Sequence, residues 1–135
     1  IFLLNDTIKN NITFENNTEF NDKNYSYVKE FIDLDDAFLN LPKGLATIVS
    51  NDGLNLSGGQ KQLVSIARAL YKNSNIVVFD EANSALDFYY KDTLKKIVQK
   101  LKGTKTVIFV THDLSFLENS FDKVYLIDSG KINLQ

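Results

Sequence analysis

The sequence predicts an α/β fold in which parallel strands form the core and an α-helical subdomain precedes them. Two short apolar runs, residues 76–79 and 106–110, are separated by one amphipathic stretch, so the order is strand, helix, strand. Continuous apolar runs of this length are typical of strands buried on both faces of a parallel sheet. The first half of the chain shows helical spacing instead. We therefore expect a helical part over residues 1–73 and an α/β core over residues 74–135.

The first two helices are predicted from capping residues and apolar spacing. Thr7 can cap a short helix that runs to Ile12, and the Asn- and Asp-rich stretch 13–24 predicts a solvated loop. Ser26 can cap a second helix that runs to about Leu39. Apolar residues recur at helical spacing within this second helix, which predicts one buried face.

The best-defined helix of the chain begins after residue 56. Pro42 breaks the preceding helix, and residues 47–53 predict a connecting loop. Ser57 and Gln60 have the spacing of a capping box, in which each side chain satisfies a free backbone N–H group at the helix start. Apolar residues then recur at helical spacing to about Lys72, so this helix should bury one face.

The second half continues with alternating elements. A helix is expected over residues 88–101, and Ser115 with Glu118 offers another capping box for a short helix. Residues 124–127 predict a third strand, and a turn then leads into a last short strand at 132–134. These elements extend the α/β core towards the end of the chain.

The composition restricts the function classes. With 44% hydrophobic and 24% charged residues in a chain of 135, the sequence is that of one globular domain or part of one. A net charge of −2 argues against a nucleic-acid partner, which requires a basic face. The lack of cysteine excludes disulfides and thiolate metal sites. The chain begins inside an apolar run at Ile1, from which we expect it to be a piece of a larger protein.

The start of the helix after Leu56 has the features of a phosphate site. Ser57, Gly58 and Gly59 occupy its first positions, where backbone N–H groups lack internal partners and the helix dipole is positive. Two glycines let an anion approach the backbone closely. Taken alone, the two glycines are equally well explained as residues that shape a turn.

Three further candidates follow the two apolar runs. Asp80 and Glu81 end the first run, where an Asp can hold Mg²⁺ through water and a Glu can polarise an attacking water. His112 follows the second run, so parallel strands would bring it to the same edge of the sheet. Each signal alone is also explained by a solvated acid or a structural histidine at a strand end.

In this order and spacing, the chain resembles the ATP-binding cassette (ABC) ATPase family over almost its whole length. Four of its segments are similar to motifs of that family: the signature motif at Leu56, Ser57, Gly58, Gly59 and Gln60, the Walker B strand at residues 76–81, the D-loop at Ser84, Ala85, Leu86 and Asp87, and the switch histidine at His112.

The resemblance implies a mechanism with ATP and Mg²⁺ as cofactors. In this family two cassettes pack head to tail with two ATP molecules between them. Within the nucleotide-binding signature, residues 56–60, Ser57, Gly58 and Gly59 would then contact the γ-phosphate of the ATP held by the partner cassette, and the D-loop would cross the interface. Glu81 and His112 would be the catalytic residues for the ATP of their own cassette, and Asp80 would hold Mg²⁺.

The resemblance also implies partners and a location. A second copy of the cassette would complete a homodimer, and a transmembrane domain would be fused upstream. The parent would be an exporter or flippase with this part on the cytoplasmic side of the cell membrane. Two alternatives are a truncated, non-catalytic module that binds a partner, and an ABC-type ATPase without a transport role.

The chain also departs from the family pattern. The sequence contains no Gly-x-x-x-x-Gly-Lys-Ser/Thr loop, which is the family's Walker A motif. Asn51 and Asp52 stand where exporters often carry a Gly-Glu pair, and Asn83 replaces the usual Thr, which we expect to have little effect. Without the Walker A strand, residues 76–79 would leave an apolar edge and face uncovered. We therefore expect this chain alone to be poorly stable and inactive.

Overall fold

The computed structural model describes residues 1–14, 20–50, 53–83, 86–113, 116 and 120–134. Its helices lie mainly in the first half and its strands in the second, which confirms the predicted α/β class. In chain order the elements are α1 Ile8–Thr13, α2 Asp22–Ile32, α3 Leu34–Ala37, a 3-10 turn Gly44–Ala46, α4 Gly58–Tyr71, β1 Ile76–Asp80, α5 Phe88–Leu101, β2 Thr106–Val110, β3 Tyr125–Asp128 and β4 Lys131–Leu134.

The predicted cap of α1 is confirmed, whereas the prediction for α2 is wrong at both ends. Thr7 accepts a hydrogen bond from the backbone N–H of Asn10 at the start of α1. Helix α2 begins at Asp22 and not after Ser26, because Asn21 caps it and the hydroxyl of Tyr71 accepts from the Asn21 N–H at 2.8 Å. The helix stops at Asp33, whose φ of 62° lies in the left-handed region, so α3 is a separate short helix.

Helix α4 forms the centre of the helical part. Its predicted start, capping box and end are all confirmed. The buried face of α4 packs against α1 and α2. That face consists of Leu63, Val64, Ile66, Ala67, Leu70 and Tyr71, so the predicted apolar spacing does find a core.

Strands β1 and β2 pair in parallel, as predicted, with Val78 opposite Ile108. One face of this two-stranded sheet packs into the core, where the rings of Phe79 and Phe109 lie 5.6 Å apart. The other face is exposed along both strands, so the prediction of burial on both faces is wrong for this chain. Its exposure agrees with the expectation that an apolar face is left uncovered here.

Strands β3 and β4 form an antiparallel hairpin. They begin and end within one residue of the predicted positions. Ser129 and Gly130 both have positive φ, as the two central residues of a hairpin turn require. The predicted capping box of Ser115 and Glu118 lies outside the described residues. No helix in the described part of the chain combines the length and apolar character needed to cross a bilayer.

Candidate functional site

The site begins where β1 ends. Glu81 follows the strand with a φ of 48°, a conformation that is uncommon for a residue with a side chain and that clusters at functional sites. Its backbone N–H donates to the carbonyl of Val110 at 2.9 Å, which extends the pairing one residue beyond β1. Because the strands are parallel, this bond brings the segment after β1 beside the segment after β2.

Glu81 and His112 meet at this edge. The Nδ1 atom of His112 lies 2.8 Å from Oε2 of Glu81, which confirms the prediction that the two residues share one end of the sheet. The side chain of His112 is 78% exposed and that of Glu81 is 38% exposed, although the Oε2 atom of Glu81 that faces the imidazole is itself buried. The two groups form an ion pair whenever the imidazole is protonated.

Asp80 occupies the exposed face of β1, opposite Val110 in the sheet register. Among the residues that the structure describes, no cluster of three or more His, Cys, Asp or Glu side chains has a geometry for holding a metal. A single exposed carboxylate nevertheless suits Mg²⁺, which commonly takes one or two protein carboxylates together with waters and nucleotide phosphates. Asp80 therefore fits the part of a single ligand and not of a closed metal cage.

Behind the pair lies a hydrogen-bonded network that sequence reasoning missed. The buried Asn83 accepts from the Thr111 hydroxyl at 3.0 Å, and its amide lies 3.4 Å from the Asp113 carboxylate. That carboxylate also accepts from Lys91 Nζ at 3.0 Å. The network thus ties the segment after Glu81 to the segment that carries His112. Asn83, which replaces the usual Thr of the family, thus takes part in this network through both atoms of its amide. The pairing of Lys91 with Asp113 has no signal in the sequence.

The start of α4 presents a capped but accessible turn. Ser57 Oγ accepts from the Gln60 N–H at 3.1 Å, and the Ser57 N–H donates to Gln60 Oε1 at 3.0 Å. Ser57 and Gly58 are exposed, whereas Gly59 is buried. A Cβ atom at Gly59 would overlap the ring of Tyr90, so the lack of a side chain there has a packing reason as well. Leu56, which precedes the turn, belongs to the hydrophobic core.

The structure describes two of the four residues of the predicted D-loop. Ser84 and Ala85 lie outside the described residues, as do Asn51 and Asp52. Leu86 packs against the core, and Asp87 caps α5 by accepting from the Tyr90 N–H at 3.1 Å. Within the described ranges, no hydrogen bond or ion pair joins the Ser57–Gly59 turn to the Glu81–His112 pair. The structure therefore assembles two separate groups of the predicted residues.

A capped, glycine-bearing helix start can bind a phosphate, and the acid–histidine pair lies at the carboxyl edge of parallel strands, where ligands of α/β sheets bind. Together these two features favour the class of nucleotide-binding α/β proteins. The chain belongs to the ABC transporter family, whose family model matches residues 2–84. This match confirms the resemblance found in the sequence.

The chain is similar to several ATP-dependent lipid A-core flippases. It is 36% identical to that of Photobacterium profundum over 132 residues and 38% identical to that of Haemophilus influenzae over 138 residues. Each alignment covers 98% of this chain but 22% of the flippase, so the chain spans about a fifth of the length of these relatives.

Two further similarities come from a eukaryotic relative and a solved structure. The chain is 41% identical to ATP-binding cassette sub-family C member 8 of Rattus norvegicus, over 97% of this chain and 8% of that protein. It also matches the structure of a bacterial Atm1-family ABC exporter with ATP bound. That match has a TM-score of 0.82 and 34% identity, and it covers 98% of this chain and 23% of the exporter. The fold is therefore that of part of an ABC exporter.

Proposed function

We propose that this chain is the C-terminal part of the ATP-binding and hydrolysing domain of an ABC transporter. In that protein it would couple ATP hydrolysis to the export or flipping of a substrate. The observation that carries the proposal is the 2.8 Å approach of His112 to Glu81 at the carboxyl edge of two parallel strands. The names of the similar proteins, which are ATP-dependent flippases and an ABC exporter, support it.

Glu81 is the proposed general base. Its side chain is 38% exposed, and it comes directly after a strand, where ligands of α/β sheets bind. It would polarise the water that attacks the γ-phosphate, while the exposed imidazole of His112 contacts that phosphate. Asp80 would supply the one protein carboxylate to Mg²⁺, which neutralises charge on the phosphates when it is bound.

The signature turn, residues 57–59 at the start of α4, is proposed to act on a second ATP. Ser57 caps a 14-residue helix whose first residue is Gly58, and both residues are exposed, so their backbone can face an anion from outside this chain. A second copy packed head to tail would present its nucleotide to residues 56–60. The D-loop, residues 84–87, would lie between the two sites in such a dimer. A two-fold axis would then generate both sites from one sequence.

The longer protein is proposed to be membrane-embedded. The flippases that this chain matches are several times longer than the matched part. We infer a transmembrane domain fused upstream and a position of this part on the cytoplasmic side of the membrane. The phosphate-binding Walker A loop would also come from the preceding sequence, so the 135-residue chain by itself is expected not to hydrolyse ATP.

The test is the substitution Glu81→Gln in the full-length protein. Removing a positioned general base lowers a rate by about 10²–10⁴-fold, so ATP hydrolysis should fall by that factor. Binding of ATP should persist, because the amide keeps the size of the side chain. Phosphate release measures the rate of ATP hydrolysis, and equilibrium binding of a fluorescent ATP analogue measures the affinity for the nucleotide.

Glu30→Gln is the matched control, because Glu30 is an exposed glutamate on α2, outside the site. It should leave hydrolysis unchanged. A full-length protein that neither binds nor hydrolyses ATP would favour the alternative of a non-catalytic partner-binding module. Normal hydrolysis in Glu81→Gln would remove Glu81 from the proposed role while leaving the ATPase assignment intact.

A further inference from the structure

The first turn of α5 touches both groups of site residues. Tyr90 covers Gly59 at the start of α4, and Lys91 lies 3.0 Å from the Asp113 carboxylate, next to His112. These two contacts come from consecutive residues of one helix. Among the residues that the structure describes, no hydrogen bond or ion pair joins the two groups directly, so these contacts of α5 link them.

The contact of Tyr90 with Gly59 depends on the absence of a side chain. A Cβ atom built on Gly59 would overlap several atoms of the Tyr90 ring, including Cγ at its base. Such an overlap cannot be relieved by a small rotation of the ring tip. The backbone of Tyr90 is itself held by the Asp87 cap, and its ring lies edge-on to that of Tyr89 at 5.2 Å. The ring therefore lies directly against the signature turn.

The contact of Lys91 with Asp113 continues into a closed network. The two side chains are 38% and 24% exposed, so the pair is partly shielded from solvent. Asp113 also lies beside the amide of the buried Asn83, and Asn83 accepts from Thr111. The Thr111 hydroxyl in turn accepts from the Asp113 N–H at 3.0 Å. Residues 111 and 113 are thus held on both sides of His112.

We propose that the first turn of α5 is a positioning clamp, in which Tyr90 holds the signature turn and Lys91 holds the histidine segment, residues 111–113. The proposal rests on the proposed ATPase function and adds two positioning residues to it. Neither residue touches the nucleotide in this account. Tyr90 acts through Gly59, and Lys91 acts through Asp113 on the placement of His112 relative to Glu81.

The clamp has a mechanical basis in the geometry of a helix. Tyr90 and Lys91 are adjacent in the chain and lie within the hydrogen-bonded first turn of α5, so they move together. A displacement of α4 relative to the sheet must therefore break one of the two contacts or carry α5 with it. The orientation of the signature turn and that of the histidine segment are coupled within one cassette.

The first experiment replaces Lys91 by Met in the full-length protein and measures steady-state ATP hydrolysis. Misplacing a catalytic group by about 1 Å costs on the order of 10²-fold in rate, so we expect kcat to fall by about 10-fold to 100-fold. The KM for ATP should stay unchanged, because Lys91 does not touch the nucleotide. The thermal midpoint of the full-length protein should also stay close to that of the wild type.

Lys96→Met is the matched control. Lys96 pairs with Asp92 at 2.7 Å on the same helix, but the two side chains are 68% and 50% exposed and line a cavity with Asp36 that includes neither Glu81 nor His112. The charge reversal Lys91→Asp with Asp113→Lys provides a rescue test. Each single reversal should lower kcat, and the double variant should recover a substantial part of the loss. If Lys91 had a purely structural role, Lys91→Met would lower the thermal midpoint and would not lower kcat selectively at unchanged KM.

The other half of the clamp is tested by Gly59→Ala and Tyr90→Ala, alone and together. Gly59→Ala should abolish most hydrolysis, and the double variant should be more active than Gly59→Ala, because removal of the ring makes room for the methyl group. If the losses of hydrolysis in Gly59→Ala and Tyr90→Ala simply add in the double variant, the proposed role of Tyr90 is overturned. Wild-type kcat in Lys91→Met, or no rescue by charge reversal, would overturn the other half. A wild-type protein that does not hydrolyse ATP would instead overturn the proposed function.

Discussion

The exposed apolar face of the β1–β2 sheet predicts opposite effects of one substitution in two settings. This face carries Ile76, Val78, Ile108 and Val110, which are between 48% and 60% exposed. Full burial of a valine or isoleucine contributes about 1.5–3 kcal/mol, so covering the exposed half of four such residues would contribute about 3–6 kcal/mol. That is comparable to the whole stability of a small domain. In the longer transporter proposed above, we therefore expect the preceding sequence to cover this face.

The perturbation is Val78→Thr, which keeps a β-branched side chain and adds a hydroxyl. In the proposed full-length protein an apolar cover would bury the hydroxyl, and burying a hydroxyl without a hydrogen bond costs about 1–3 kcal/mol of unfolding free energy. In the 135-residue chain alone, Val78 faces water, so the change should cost less than about 0.5 kcal/mol and should reduce aggregation. Urea unfolding measures the free energy of unfolding in both settings. Light scattering at matched concentration measures the aggregation of the isolated chain.

Val77→Thr is the control, because Val77 lies on the opposite face of β1 and is only 4% exposed. It should destabilise the protein in both settings. The reasoning would be refuted if Val78→Thr left the full-length protein as stable as the wild type. It would also be refuted if Val78→Thr made the isolated chain aggregate more strongly.

Two further predictions concern the helical part. Arg68 donates hydrogen bonds to the carbonyls of Asn11 and Phe2. Because hydrogen bonds made by a charged group contribute about 1.5–3 kcal/mol, Arg68→Met should lower the unfolding free energy by that amount. A urea midpoint equal to that of the wild type would contradict this prediction. Burial, and secondarily the negative charge of Asp35, raises the pKa of Tyr25 from 10.0 to about 12. The neutral phenol therefore stabilises the fold fully below pH 10, and this contribution, at most about 2–3 kcal/mol, is lost as the pH rises towards 12. Tyr25→Phe should flatten the stability profile in that interval, and an unchanged alkaline slope would exclude Tyr25 as its source.

The elements that could be predicted from the sequence are those whose causes lie within a few residues. The capping box of Ser57 with Gln60 and the bounds of α5 were predicted correctly, because a cap and a helical repeat are local patterns. The meeting of Glu81 with His112 also followed from a simple rule. Each residue comes directly after a strand, and parallel strands end at the same edge of a sheet.

The start of α2 was wrongly predicted because two local caps competed. Ser26 and Asn21 are both good capping residues, and nothing nearby in the chain chooses between them. The hydroxyl of Tyr71, fifty positions further along the chain, accepts a hydrogen bond from the Asn21 N–H and so favours a helix start at Asn21. The exposed face of β1 has a similar origin, since a continuous apolar run does not say which neighbours are present to cover it.

The sequence by itself determined the family, the α/β class and the meeting of Glu81 with His112 at one edge of the sheet. Caps, apolar repeats and the order of motifs depend on short-range geometry, which the chain carries at every position. Only the tertiary structure decided that Tyr90 lies over Gly59, that Lys91 pairs with Asp113, and which face of the sheet is open. Those facts depend on which distant groups come to share the same space, and the packing of the folded chain settles them.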